Sequence, residues 1–181
     1  NGNLFWSTQL QKLSLPIPQI FKLSIEEQKY SFMILEYIDG VDLGELVDQM
    51  SRDQKAKVVD RLIEFQRNGD TLPEASGFGW GLHYNCPQLL PSWNQIIENS
   101  LERARSWIRT VGQVDPTYVE KVCQLQDKFK GYFSTVQPRV FFHDLTTKNL
   151  LVSKSDYSVT GFVDLDQMAF GDPLFHISLM N

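Results

Sequence analysis

Cysteine is nearly absent from this chain. Cys86 and Cys123 are the only two, far apart and without metal-ligand spacing. That excludes a disulfide-stapled scaffold and a cysteine-based zinc site. Positive charge is short as well: 17 Lys and Arg face 22 Asp and Glu, for a net charge of −5. Nucleic-acid binders usually carry a basic stripe, so no nucleic-acid partner is expected. No apolar run approaches the roughly 20 residues of a membrane span, and no charged-then-apolar leader opens the chain. No membrane partner is expected either, and a reducing, cytoplasmic setting fits. No motif speaks to oligomeric state. The chain opens on Asn1 rather than Met, so a longer protein is expected around it.

What is present is enough for one domain with a core: 181 residues, 42% of them hydrophobic. Strands are expected over 17–23, beginning between Pro16 and Pro18, and over 30–38, where Asp39-Gly40 supplies turn chemistry. A short helix is expected over 42–50. Ser51 with Gln54 reads as a capping box that opens a helix to about Asn68. Val58, Val59, Leu62, Ile63 and Phe65 give that helix its apolar stripe. A long connection with Gly77-Phe78-Gly79-Trp80-Gly81 follows. Pro91-Ser92 opens the next helix, with Trp93, Ile96, Ile97, Leu101, Trp107 and Val111 at helical spacing. Asp115 and Pro116 open a third, whose Val119, Val122, Leu125, Phe129 and Phe133 should face the core. Trp93 and Trp107 are expected in the core. After Pro138 the texture changes to short apolar strands, 140–142, 150–152 and 159–163, separated by polar loops. Helices packed on a few short strands indicate an α+β domain.

The polar loops carry the chemistry. Asp144 follows one apolar strand, Asn149 sits at the mouth of the next, and Asp164 ends the third with Asp166 just beyond. A hairpin turning near residues 154–158 would bring Asn149 and Asp164 together. Hard oxygen ligands at neighbouring strand ends suit Mg²⁺, which takes few protein ligands and shares the rest with phosphates and water. Asp144 is then free to accept a hydroxyl proton. This is the kinase arrangement: a catalytic-loop Asp, then Leu, three variable residues and Asn, followed by a metal-binding Asp. Asp144-Leu145-Thr146-Thr147-Lys148-Asn149 and Phe162-Val163-Asp164 meet it.

The run Asp164-Leu165-Asp166-Gln167-Met168-Ala169-Phe170-Gly171-Asp172-Pro173 resembles the aminoglycoside phosphotransferase and choline kinase-like family. The resemblance covers roughly residues 17–180. It implies the mainly helical C-terminal lobe of the protein kinase-like fold, with 1–40 as the end of the N-lobe and hinge strand and 41–181 as the catalytic lobe. It also implies ATP as co-substrate, Mg²⁺, and a small-molecule hydroxyl acceptor (aminoglycoside, choline or sugar type), cationic if an acidic cleft flanks the metal. Residues 32–40 look like the hinge, so the backbone of Glu36 and Ile38 would meet adenine. Asp144 is the expected catalytic base, and Asn149 and Asp164 are the expected metal ligands. Asp166, Lys148 and His143 are further candidates.

Two supporting positions depart from the family pattern. Phe142 stands where its members usually have His, and His176 where they usually have Asp. No Gly-rich loop and strand Lys precede residue 32, so the piece by itself is expected to be inactive. Two other readings remain: a pseudokinase-type binding module, and a metal-dependent hydrolase built on His143, Asp144, Asp164 and Asp166. Asp172 is expected to be a structural carboxylate, His176 a structural histidine, and His83 a surface loop residue.

Overall fold

The computed structural model describes residues 2–24, 30–165 and 168–175. The chain opens with helix α1 (Gly2–Gln11), followed by the antiparallel hairpin β1 (Ile20–Ser24) and β2 (Phe32–Leu35). Strand β3 (Val41–Asp42) leads into the short helix α2 (Leu43–Leu46) and a 3-10 turn at Val47–Gln49. Helix α3 spans Arg52–Gly69, strand β4 Gly79–Trp80, helix α4 Trp93–Val111 and helix α5 Thr117–Phe133. Four short strands close the chain: β5 (Arg139–Phe142), β6 (Leu150–Val152), β7 (Val159–Phe162) and β8 (Met168–Gly171). Apart from the β1–β2 hairpin there are two three-stranded antiparallel sheets, ordered β3-β6-β7 and β4-β8-β5. The architecture is α+β, as expected. Among the described residues no helix is long and apolar enough to cross a membrane.

Local chemistry explains the helix ends. The Ser51 hydroxyl accepts from the Gln54 N–H, and the Gln54 carboxamide accepts from the Ser51 N–H, so the capping box forms. The Ser92 hydroxyl accepts from the Gln95 N–H at the start of α4, and Gly112 ends that helix at φ +66°. At α5 the Asp115 carboxylate accepts from the Thr117 N–H. The β6–β7 hairpin turns through Ser153–Ser158, with Tyr157 at φ +61° and the Asp156 carboxylate bonded to both the N–H and hydroxyl of Ser158.

The main core joins α1, α3 and both three-stranded sheets. Trp6, Leu10, Leu62, Phe65, Phe142, Leu150, Phe162 and Phe170 all lie in it. Phe65 stacks obliquely on Phe162 at 4.3 Å and reaches Phe142 at 6.2 Å. Each such side chain contributes about 1.5–3 kcal/mol through burial. A second, smaller core lies on the other face of the β5–β8 pair, around Phe78, Trp93, Ile96, Phe141 and Ala169. That pair is therefore covered on both faces. This is why 140–142 and 168–170 read as continuous apolar runs rather than alternating ones.

Several expectations are corrected. α1, β4 and β8 appear in segments with no predicted element. The expected helix over 42–50 is broken into α2 and the 3-10 turn. Of the α3 stripe, Val58, Leu62 and Phe65 are buried while Val59 and Ile63 are exposed. Trp107 is 58% exposed. On α5 only Val119 is buried; Val122, Leu125 and Phe129 form an open apolar face with Tyr118 and Tyr132. Periodicity shows that a face is apolar. It does not say which neighbour covers it, and among the described residues α5 packs chiefly on α4.

Candidate functional site

Asp144 begins the loop after β5, and the loop is held by local bonds. The Thr146 N–H donates to the Asp144 carbonyl at 2.9 Å, and the Asn149 N–H donates to the Thr146 carbonyl at 3.1 Å. Leu145 is buried beneath, and the Gly44 N–H at the start of α2 donates to the Thr147 carbonyl at 3.2 Å. A short loop is thus pinned at both ends and from one side.

Asn149 is the centre of the arrangement. It is only 8% exposed. Its Nδ2 donates to the Asp144 carbonyl at 2.7 Å and to Asp144 Oδ2 at 3.1 Å. Its own carbonyl accepts from the Val163 N–H at 3.0 Å. Through its side chain and its backbone carbonyl, this one residue links the Asp144 loop to the end of β7, where Asp164 follows. With both N–H groups of its carboxamide engaged, Asn149 has Oδ1 left to offer a cation. Asp164 sits at φ +60°, a left-handed conformation that Asp adopts more readily than most residues. Backbone strain of this kind collects at functional positions.

Asn149 and Asp164 line one cavity of about 400 Å³. Pro18, Ile20, Met33 and Leu35 make its apolar wall, and Asn3 and Ser7 of α1 face it too. The sequence reading missed these six. Helix α1 is short and lies at the chain's start, and its apolar residues mark no clean stripe.

Glu36 and Ile38 lie in the segment that follows β2. The Glu36 N–H is taken by the Gln19 carbonyl at 2.8 Å, and Glu36 Oε2 accepts from the Gln19 N–H at 3.1 Å. Glu36 thus keeps its carbonyl, not its N–H, for a ligand. Ile38 packs on Gly161 so closely that a Cβ there would fall 2.7 Å from Ile38 Cδ1. Glycine at 161 lets the hinge segment lie directly on the β6–β7 hairpin.

Lys148 is exposed on the loop surface. The His143 ring stacks on Phe175 at 5.6 Å and meets Trp80 edge-on at 5.0 Å. Burial pushes its pKa below the usual 6.5, against an opposing pull from the Asp144 charge. Phe142 turns away from this loop into the main core. Asp172 is buried; it accepts from the Leu174 N–H at 2.9 Å and from the Tyr132 hydroxyl at 3.0 Å, a structural role. Asp166 and His176 lie outside the described residues. Among the described residues no group of three or more His, Cys, Asp or Glu forms a metal cage. A site that keeps few protein ligands suits Mg²⁺, and the free Oδ1 of Asn149 beside Asp164 fits that cation.

A second cavity, about 630 Å³, lies between β4 and α4, lined by Phe78, Trp80, Leu90, Ile96, Asn99 and Glu102 among others. Its Trp80 is the residue that meets His143.

A family model described as "Phosphotransferase enzyme family" matches residues 5–180. No curated protein matches the sequence. Solved structures share the fold. One is the GDP complex of wild-type aminoglycoside 2'-phosphotransferase-IIIa, at 15% identity and TM-score 0.71, covering 97% of this chain and 58% of that one. Another is the apo form of a thermostable mutant of aminoglycoside phosphotransferase APH(4)-Ia, at 20% identity and TM-score 0.64, covering 96% and 59%. A third is a ternary complex of such a mutant with ADP and hygromycin B, at 20% identity and TM-score 0.61, covering 91% and 54%. The chain thus spans little more than half the length of these structures.

Proposed function

The chain belongs to the phosphotransferase enzyme family, and from that premise we propose that it carries the catalytic half of a small-molecule kinase site. The reaction is transfer of the ATP γ-phosphoryl group to a substrate hydroxyl. Residues 1–40 are then the end of the nucleotide-binding lobe with its hinge, and 41–181 the catalytic lobe.

The observation that carries the reading is the bonding of Asn149. Its carboxamide fixes Asp144 by two hydrogen bonds and shares a cavity with Asp164. Asp144 orients the acceptor hydroxyl and takes up its proton as the new O–P bond forms. Asn149 Oδ1 and the Asp164 carboxylate would hold Mg²⁺, which would supply positive charge to offset that developing on the transferring phosphoryl group. Pro18, Ile20, Met33 and Leu35 form an apolar slot for a planar base, and the Glu36 carbonyl offers an acceptor at its edge. His143, neutral and wedged between Trp80 and Phe175, stiffens the start of the loop.

The acceptor enters from the α4 side. The cavity there sets the Trp80 ring beside the Glu102 carboxylate and the Arg103 side chain, so it offers an acceptor an aromatic face and polar groups of both charges. An aminosugar-like acceptor fits, in keeping with the hygromycin B bound by one structural neighbour. Supply of the phosphate clamp by the rest of a longer protein also fits, and residues 1–181 alone should not turn over.

Asp144→Ala in the complete protein tests the reading. Turnover with a panel of hydroxylated amines, aminoglycosides and sugars should fall by at least about 100-fold while binding of Mg²⁺ and nucleotide persists. Unchanged turnover would remove Asp144 from the chemistry.

A further inference from the structure

Helix α1 is locked in place along one side. Trp6 and Leu10 are fully buried, and Trp6 Nε1 donates to the Gly81 carbonyl at 3.0 Å. Gly2 lies so close to Leu82 that a Cβ would come within 2.7 Å of Leu82 Cδ2. With that side fixed, Asn3 and Ser7, one helical turn apart, line the same cavity as Asn149 and Asp164. Ser7 is 6% exposed, and among the described residues its hydroxyl makes no hydrogen bond. The hydroxyl oxygen stays open to the cavity, so it can take a hydrogen-bonding occupant beside a carboxylate and a carboxamide.

We propose that Asn3 and Ser7 are positioning residues for the divalent cation: they hydrogen-bond the water molecules that complete its coordination shell, across the cavity from Asn149 and Asp164. The proposal rests on the functional reading above. Mg²⁺ demands near-octahedral coordination and gives up water reluctantly. With two protein ligands and phosphate oxygens bound, the remaining sites are water. Cation-bound water is a polarised donor and needs acceptors. The Ser7 hydroxyl and the Asn3 carboxamide oxygen accept without adding negative charge beside the phosphates. The two walls then divide the work, β6 and β7 supplying direct ligands and α1 holding the hydration shell.

The test is calorimetric, on the full-length protein with Mg²⁺ and a non-hydrolysable ATP analogue. Ser7→Ala should raise the Mg²⁺ concentration for half-maximal nucleotide binding roughly three- to tenfold, the worth of one hydrogen bond. Asn3→Ala, at a half-buried position, should do the same. Neither should change nucleotide affinity in EDTA, and Ser7→Ala should leave the ligand-free melting midpoint unchanged. An unchanged Mg²⁺ requirement in both variants overturns the proposal. So does an equal loss of affinity with and without the cation, which would mean a contact to nucleotide or a structural effect. Asp164→Asn separates this from the underlying reading. If Asp164→Asn abolishes Mg²⁺-dependent binding and the α1 variants do not weaken it, only the role of α1 fails. If Asp164→Asn has no effect, the kinase reading itself fails.

Discussion

The link between Asn149 and Asp144 can be tested without any substrate. Asn149→Ala removes two hydrogen bonds at once, one of 2.7 Å to the Asp144 carbonyl and one of 3.1 Å to its carboxylate. The side chain is buried, so water cannot enter freely to replace the lost donor. At about 1 kcal/mol for each bond, with the Asp144 carbonyl keeping the Thr146 N–H as its remaining partner, the cost is about 2 kcal/mol. Asp144→Ala removes only the second bond. Its carboxylate is half-buried, so solvent screens that contact, and the cost is about 0.5–1 kcal/mol. The double variant should therefore show a coupling of about 0.5–1 kcal/mol. Urea denaturation at constant slope reads all three differences as shifts in midpoint. The functional arm should run differently. Asn149→Ala should weaken binding of Mg²⁺ with nucleotide as well as turnover, whereas Asp144→Ala should spare binding. The reasoning is refuted if Asn149→Ala leaves the midpoint in place, or if Asp144→Ala costs as much as Asn149→Ala.

Two further outcomes are expected. The His143 pKa is lowered by burial, so the native state binds this proton less readily than the unfolded chain. The associated stability is present above about pH 6.5 and is lost as pH falls below it. Urea midpoints of the parent protein should drop between pH 7.5 and 5.5, and His143→Phe, which keeps the ring against Trp80 and Phe175, should drop less; equal drops would remove His143 as the cause. At Gly171 a Cβ would lie 2.1 Å from Trp93 Cζ3, so Gly171→Ala should cost about 3 kcal/mol and lower the melting midpoint clearly. Trp93→Leu should recover part of that loss, and a parent-like midpoint for Gly171→Ala would show that β8 and Trp93 are not in contact.

How much could be read beforehand follows from the range of the interactions. The bonds within the Asp144 loop join residues at most five apart, and the more distant Gly44 and Val163 N–H groups bond to its Thr147 and Asn149 carbonyls. Its geometry is a local matter, and the spacing of Asp, Leu and Asn carries it. The β6–β7 hairpin is also local, which is why Asn149 and Asp164 could be brought together on paper. The capping box of α3 and the Ser92 cap and glycine end of α4 belong to the same class. None of these needs knowledge of the rest of the chain.

Elements made by distant partners behave otherwise. Strand β4 exists because Gly79 pairs with Phe170 and Trp80 with Ala169; two residues have no strand signal of their own. The open face of α5 and the exposed Trp107 obey helical periodicity, yet their burial depends on what packs over them. Phe142 resembles a departure at a supporting position until the structure shows it filling the core against Phe65. Helix α1 shows the division best. Residues 2–11 carry little intrinsic pattern, and it is the burial of Trp6 and Leu10 beneath distant elements that turns Asn3 and Ser7 toward the cavity lined by Asn149 and Asp164. By itself, the sequence determined where Asp144, Asn149 and Asp164 stand relative to one another, because a short loop and a local hairpin position them. Only the tertiary structure decided what faces them, because that wall is assembled from side chains far apart along the chain.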